Sequence, residues 1–523
     1  MQRVSGTIPD SLQKVPPMPA IRMHHPLLFA MLCSAAAAVA AGKADSGDYR
    51  RAADAVAKRE ANGPRPGRAR NVILFIGDGM GIATITAARI LEGQRRGESG
   101  EQNHLSFEDF PYSALVRTYS ADQQVSDSAP TATAMMTGSH ANDGALSVSP
   151  ETPENSADAA VIARYALPTL LEQAEDHGLS TGVVSTARIT HATPASTYAH
   201  TPNRDWESAV STPAATLPDI ASQLIARQHK GDGLEVVLGG GREYLMATTQ
   251  ADPEYPGKSG LRRDGRNLIE EWTRAQPASA YVWKRDDLLR VDARKTRHLL
   301  GLFEPSHMRY EADRAQDAGG EPSLAEMTTK AIELLRTNGK GYFLMVEGGR
   351  IDHAHHAGNA FRALTDTIAL SDAVRAAAKA VDARDTLILV TADHSHVLTI
   401  SGYPVRGNPI LGLVKTPGAT APALAADRKP YTTLSYATGP GFALIDGQVD
   451  GAPRAIAPGR EQDLSRVDTT SPGFHQQSLV GMGAETHGGE DVALFASGPG
   501  AELARGVIDQ NEIYHIMRRA LRW

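Results

Sequence analysis

Short, continuous apolar runs recur along this chain, separated by stretches of helical period, and that alternation restricts the fold more than any other feature. The runs are 72–76 (VILFI), 182–184 (GVV), 235–238 (EVVL), 342–346 (YFLMV), 386–390 (TLILV) and 492–496 (VALFA). Between them, 168–177, 216–228, 323–337, 359–380 and 509–522 carry apolar residues at helical spacing. Strands that alternate with helices build βαβ units. Strands without polar alternation are covered on both sides. The pattern predicts an α/β fold, a doubly wound and mostly parallel sheet with helices on both faces. Residues 403–485 are rich in Gly and Pro and poor in long apolar runs, and read as a loop-rich insertion with a small sheet near the C-terminal part.

The beginning of the chain obeys other rules. Residues 1–22 are polar and punctuated by proline; from Met23 the sequence runs MHHPLLFAMLCSAAAAVAAGKA behind Arg22 and reaches small residues at Ala38-Val39-Ala40. That is the form of a signal peptide with an A-x-A cleavage site. The run 26–41 is shorter than the roughly 20 residues a membrane span needs, so no transmembrane span is expected. Residues 1–40 are therefore read as a leader, 41–70 as an N-terminal arm or linker, and 71–523 as the folded domain of an exported, periplasmic or extracellular protein. The single cysteine, Cys33, comes after the bulky Leu32 rather than a small lipobox residue, and is expected to leave with the leader. No intramolecular disulfide or cysteine-based zinc site can then form, and any metal must be held by His, Asp, Glu or hydroxyls. With 53 basic against 60 acidic residues and a formal charge of −7, binding of nucleic acid by bulk charge is not expected.

The residues just beyond the strand ends carry the chemistry. VILFI runs into Gly77-Asp78-Gly79, YFLMV into Glu347-Gly348-Gly349-Arg350-Ile351-Asp352-His353-Ala354-His355-His356, and TLILV into Thr391-Ala392-Asp393-His394-Ser395-His396. Open α/β sheets place their sites at the carboxyl ends of strands. Asp352 and His356, four apart, share a face on a helical turn. Taken singly, Asp78 fits a helix N-cap, and a His-rich turn fits a solvated loop. Together the three clusters place like charges at one sheet edge, where they repel unless a cation gathers them.

A fourth segment offers a nucleophile. Asp127-Ser128-Ala129-Pro130-Thr131-Ala132-Thr133-Ala134 opens a helix, with Pro130 in its first turn. Ser128 then lies where free N–H groups favour an anion, whether or not it also caps the helix. A serine without an adjacent base needs a metal to lower its pKa. There is no G-x-S-x-G elbow and no Walker A sequence, and Gly239-Gly240-Gly241-Arg242 reads as a turn rather than a phosphate loop.

These segments resemble those of the alkaline phosphatase family, its animal tissue type more closely than its compact enterobacterial type. The matching stretches are FIGDGMG (75–81), DSAPTATAMMTG (127–138), ARITHATPASTYAHTPNRDW (187–206), VEGGRIDHAHH (346–356), VTADHSH (390–396) and ETHGGEDVALFA (485–496). They stand in family order over most of 71–523, which the resemblance makes the catalytic domain of a phosphomonoesterase. It implies a first zinc on Asp352, His356 and His487, and a second on Asp78, Asp393 and His394 beside the nucleophile Ser128. A magnesium would be bridged by Asp78 and completed by Thr193 and Glu347, with His191 nearby through water. Arg204 would grip phosphate, and His396 would orient Asp352. Substrates would be small phosphate monoesters, cleaved through a phosphoserine intermediate, and the expected assembly is a homodimer. The C-terminal MRRALRW lacks the apolar tail that signals a lipid anchor, so no anchor of that kind is expected.

The resemblance also implies a calcium ion, on Glu254 in DPEYP, the carbonyl of Phe303 and the side chain of Glu304 in GLFEP, and Glu321, where the family usually has Asp. Related phosphodiesterases and sulfatases share the metal scaffold but would lack Arg204 and the Thr193/Glu347 pair. A binding protein that had lost catalysis would lack Ser128 or a zinc ligand.

Overall fold

The computed structural model describes residues 47–61, 67–212, 214–425, 427–440 and 463–523; the leader 1–40 with Cys33, and residues 441–462 of the insertion, lie outside them. Fifteen strands are present among the described residues: β1 (Asn71–Gly77), β2 (Tyr112–Arg117), β3 (Ser180–Arg188), β4 (Val236–Gly240), β5 (Ser279–Val282), β6 (His298–Leu302), β7 (Tyr342–Gly348), β8 (Thr386–Ala392), β9 (Ser395–His396), β10 (Leu398–Ile400), β11 (Leu434–Gly439), β12 (Ser478–Gly481), β13 (His487–Gly488), β14 (Val492–Ser497) and β15 (Gly506–Asp509). Ten of them form one sheet in the order β15-β2-β14-β8-β1-β7-β3-β4-β6-β5. Only β14 runs against its neighbours, β2 and β8. The α/β class and the mostly parallel, doubly wound sheet are as the apolar runs predict.

All six runs lie in this sheet. The strands that left no such signature are mostly marginal: β2, β5 and β15 lie at or next to the edges, where a run of buried side chains is not required. In β6 every residue is buried, but His298 and Gly301 interrupt the apolar pattern. In the centre, Ile73, Leu74, Phe75, Val183, Val184, Leu344, Met345 and Leu389 are fully buried, which requires cover on both faces. The helix Leu324–Leu335 opens on a capping box of Ser323 and Glu326, and Ala360–Ala380 is capped by Asn359. These two pack on each other, and Ala360–Ala380 also packs on Ile82–Arg95, a helix the sequence pattern did not reveal.

The register fixes the position of the site. Gly77 at the end of β1 pairs with Gly348 in β7 and with Ala392 in β8. Three carboxyl ends therefore stop level, and Asp78, Glu347 and Asp393 stand side by side. A second, two-stranded ladder pairs His396 in β9 with His487 in β13, which draws in a residue from far along the chain. Within the region 403–485, β11 and β12 join β10 in a three-stranded sheet.

The stretch 41–70, read as an arm or linker, holds a regular helix, Gly47–Ala61, with Ala52 and Val56 buried. It packs on the C-terminal helix Glu512–Leu521, where Arg59 pairs with Glu512 and Arg518 Nη1 donates to Tyr49 Oη at 2.8 Å. The apolar pair four residues apart supplies the inner face, and Gly63, Pro64, Pro66 and Gly67, which suggest a tether, lie after the helix. Val56→Asp would place a carboxylate in a fully buried position, which is strongly disfavoured without a partner. Trypsin is then expected to cut at Arg50, Arg51 and Lys58 within minutes while the remaining domain resists. Equal cutting of variant and parent would show that the helix does not depend on this contact.

Candidate metal and phosphate site

Asp78 caps no helix: the next helix begins at Ile82 with Gly81 as its N-cap, and Asp78 is fully buried in the turn beyond β1. Gly79, at a φ of +67°, lets the chain turn there, and a side chain on it would run into the His396 ring. The N–H of Gly79 donates to Asp393 Oδ1 at 2.9 Å, as does that of His394. Those two bonds turn Asp393 Oδ2 inward. Ser128 is the first residue of the helix Ser128–Thr137, with Asp127 as N-cap. Its Oγ lies 3.3 Å from Asp78 Oδ1 and 3.2 Å from His394 Nε2. His394 Nε2 is in turn 3.4 Å from Asp78 Oδ1 and 3.5 Å from Asp393 Oδ2.

A second group forms on the short helix Arg350–His356, where Asp352 and His356 share a face as their spacing predicts. His356 Nε2 and His487 Nε2 are each 3.3 Å from Asp352 Oδ1 and 3.1 Å from one another. Both rings give their Nδ1–H to a backbone carbonyl, His356 to Glu485 at 2.7 Å and His487 to Ser126 at 2.8 Å. The Nε2 lone pairs are thereby left to converge. His396 Nε2 lies 2.7 Å from Asp352 Oδ1 and its Nδ1 is 2.5 Å from Glu485 Oε2.

The third group is Asp78, His191 and Glu347, close enough to address a single ion. Thr193 is fully buried in the short helix Ala192–Ala195 that comes after β3. Ser185, across the β3–β7 pairing, donates to Glu347 Oε2. Arg204 is ion-paired to Asp127 through Nη1, and its Nη2 is 2.9 Å from His191 Nε2.

The electrostatics of the three groups are those of too much negative charge. Asp78 Oδ2, Asp393 Oδ2, Glu347 Oε1 and Thr193 Oγ1 are buried without a hydrogen-bond partner. Burial, and then the charges of Asp393, Asp352 and Glu347, push the Asp78 carboxyl well above its ordinary range. Burial and neighbouring Asp393 push Glu347 up to about 7. Asp352 differs: although burial works against it, His356, His396 and His487 hold it well below the usual carboxylate range. His396, despite its burial, is pushed up to about 10 by Glu485 and Asp352. Buried carboxylate oxygens with nothing to accept are costly, and a divalent cation is the partner that satisfies several at once.

The calcium set is less simple. Glu254, Glu304 and Glu321 do come together, and Phe303 directly succeeds β6, but Arg309 and Arg242 stand among the acids. Gly239 and Gly240 close β4, and Gly241, at a φ of +99°, begins a short helix; this is a turn, with Arg242 buried against Asp252. Several site residues carry no signal in the sequence. Glu485, Asp127 and Ser185 act by orienting His396, Arg204 and Glu347, and nothing in their spacing announces it. His307 and His353 stand beside His191, with their ring centroids 4.1 Å apart.

The sequence pattern of the alkaline phosphatase family matches residues 69–523. The chain belongs to the alkaline phosphatase family. It is 44% identical over 463 residues to the tissue-nonspecific isozyme of Gallus gallus, covering 86% of this chain and 84% of that protein. It is 42% identical over 463 residues to the tissue-nonspecific isozyme of Homo sapiens, covering 86% and 83%. In three dimensions it is similar to the alkaline phosphatase of Thermus thermophilus, with a TM-score of 0.62 at 24% identity over 88% of this chain and 93% of that one. The protein is a phosphatase of a metal-dependent family, and no described helix is long and apolar enough to cross a membrane.

The clustered carboxylates have a measurable cost. In protein stripped of divalent cations, the raised pKa of Asp78 means stability is lost as pH climbs from the ordinary aspartate value toward the folded one. Asp78→Asn is expected to melt higher than the stripped parent at about pH 8, with the gap narrowing toward about pH 5 as the parent's folded state keeps its proton at less cost. A variant that melts lower at both pH values would show that Asp78 is not under repulsion.

Proposed function

We propose that this protein is an exported phosphomonoesterase that hydrolyses phosphate monoesters through a phosphoserine at Ser128, with two zinc ions and one magnesium. The observation that supports this most directly is the set of buried, unpartnered oxygens on Asp78, Asp393, Glu347 and Thr193, with Ser128 Oγ 3.3 Å from the other oxygen of Asp78. The donors fit the ions. Asp352, His356 and His487 offer one carboxylate and two imidazoles, and Asp78, Asp393 and His394 offer two carboxylates and one imidazole, both sets that zinc accepts. Asp78, Thr193 and Glu347 supply only oxygens, which suits magnesium. When bound, the ions supply positive charge that lowers the pKa of a hydroxyl or water and offsets charge on the oxygens around phosphorus.

The protein's own groups arrange the rest. Ser128 Oγ, its proton given up to solvent, attacks phosphorus in line with the ester oxygen; the new O–P bond forms as the ester O–P bond breaks, giving phosphoserine, and the departing alkoxide takes a proton from water to leave as the alcohol. Water then attacks the same phosphorus, breaks the Ser128–phosphorus bond and releases inorganic phosphate. Two inversions leave net retention. Burial, and then the charge of Arg204, keep His191 neutral, so its ring can accept a hydrogen bond from Arg204. Arg204 presents parallel N–H donors to two phosphate oxygens, once its fork turns from Asp127. A phosphodiester or sulfate ester offers fewer charged oxygens to this fork, which favours the monoester reading. Export with cleavage after Ala40, and a homodimeric assembly, belong to the same proposal.

Stripping the protein with a chelator should abolish hydrolysis of a chromogenic phosphate monoester, and zinc with magnesium should restore it. Full activity in demonstrably metal-free protein would sink the reading. Arg204→Ala should cost roughly 2–4 kcal/mol in monoester kcat/KM, about thirty- to a thousand-fold, because each charged hydrogen bond contributes about 1.5–3 kcal/mol. The loss on a diester should be smaller and zinc content unchanged. Equal losses on both esters would assign Arg204 a general structural role.

A further inference from the structure

The calcium ion implied by the family resemblance would sit among Glu254, Glu304, Glu321 and the Phe303 carbonyl. Calcium takes six to eight oxygen ligands and needs carboxylates whose lone pairs are free to turn toward it. Here the acids are already engaged by the chain itself, Glu304 and Glu254 by guanidiniums and Glu321 by a main-chain N–H.

We propose that the Arg309 guanidinium, assisted by Arg242, stands in place of that calcium, so that this lobe is closed by an internal cation and takes up no calcium. Arg309 Nε lies 3.2 Å from Glu304 Oε1 and 3.3 Å from Asp317 Oδ1. Its Nη2 donates to Tyr255 Oη at 3.1 Å, and Tyr255 passes a hydrogen bond on to Glu304 Oε1 at 2.9 Å. The main-chain N–H of the same residue donates to both oxygens of Glu321, at 3.0 and 3.1 Å. One residue thus touches three carboxylates and the tyrosine between them.

Arg242 completes the arrangement from the other side. Its side chain is fully buried, with Nε and Nη2 on the two oxygens of Asp252 at 2.7 and 2.8 Å. Nη2 also reaches Glu254 Oε2 at 3.0 Å, and Nη1 donates to the Leu302 carbonyl at 3.0 Å. The remaining oxygen of Glu254 accepts the Gly319 N–H at 3.1 Å. Each of the three carboxylates Glu254, Glu304 and Glu321 thus has a protein donor, and none of their oxygens is buried without a partner, whereas Asp78, Asp393 and Glu347 each keep one buried oxygen unpartnered. A dication placed here would also meet a fixed positive charge within hydrogen-bond distance of the oxygens it needs.

The two guanidiniums tie together the chain at 252–255, the end of β6 and the loop at 317–321. A cation-bound cluster would make the same links, but its strength would depend on calcium concentration. A guanidinium is always charged and covalently present. The arrangement is independent of the catalytic reading, and its test reads metal content and melting rather than hydrolysis.

Native protein and Arg309→Gln are to be exchanged into zinc and magnesium buffer, titrated with calcium, and monitored by calorimetric melting and by atomic emission for retained calcium. Native protein should retain no calcium and show an unmoved Tm. Arg309→Gln, which vacates the cation position and leaves the acids in place, should melt lower without calcium, retain one ion per chain, and regain Tm in a saturable way. Stoichiometric calcium on the native protein, or a calcium-dependent rise in its Tm, overturns the proposal. So does a variant that loses stability but gains no calcium, because Arg309 is then only a strut. Should Arg309→Gln fail to fold, retention of calcium by the native protein still decides against the proposal, and its absence from both native protein and Arg309→Lys, which keeps the charge, upholds it.

Discussion

Repulsion among carboxylates at the carboxyl edge of the sheet is the constraint on which the rest of this structure depends. The register of β1, β7 and β8 brings Asp78, Glu347 and Asp393 to one level, and β3 contributes Ser185 and the Thr193 segment beside them. No arrangement of neutral side chains would favour that grouping, since desolvation and like charge both oppose ionisation. The sheet can hold it because the hydrophobic stabilisation of its central strands is large compared with the local penalty. The site stores unfavourable electrostatic energy, and the core holds the grouping in place against it.

The imidazoles obey the same logic from the opposite side. His356 and His487 each point Nδ1–H at a carbonyl, so the backbone fixes the tautomer that leaves Nε2 available. His396 does something else. With Asp352 on one ring nitrogen and Glu485 on the other, it is a charged spacer that keeps Asp352 ionised in a buried position. Histidines within one cluster thus take different roles, set by what each meets at its second nitrogen.

How much of this was legible in the sequence depends on where side chains point. Central strands were visible because burial on both faces demands unbroken apolar runs; β2, β5 and β15 were not, because a strand at or near an edge is under no such demand. Asp352 and His356 could be paired from their spacing on a helix. His487 could not, since only the β9–β13 ladder brings it across, and Glu485, Asp127 and Ser185 depend on the same kind of long-range closure. The helix Gly47–Ala61 was hidden by the glycines and prolines beyond it, which raised the apparent irregularity of the whole stretch. The acids at Glu254, Glu304 and Glu321 do meet, but the two arginines among them change what the cluster can accept. The resemblance shows which residues meet and says little about the charge already present there.

The β9–β13 ladder also has a temporal meaning. A chain made from its N-terminus possesses Asp78, Ser128 and Arg204 early, and Asp352, His356, Asp393 and His394 later, yet the group centred on Asp352 lacks its second Nε2 until His487 is translated and the ladder closes. A truncated product ending anywhere before that ladder would carry Ser128 and most of the acids but an incomplete set around Asp352. Completion of the chain is thus built into the group around Asp352: an interrupted synthesis leaves that group without His487.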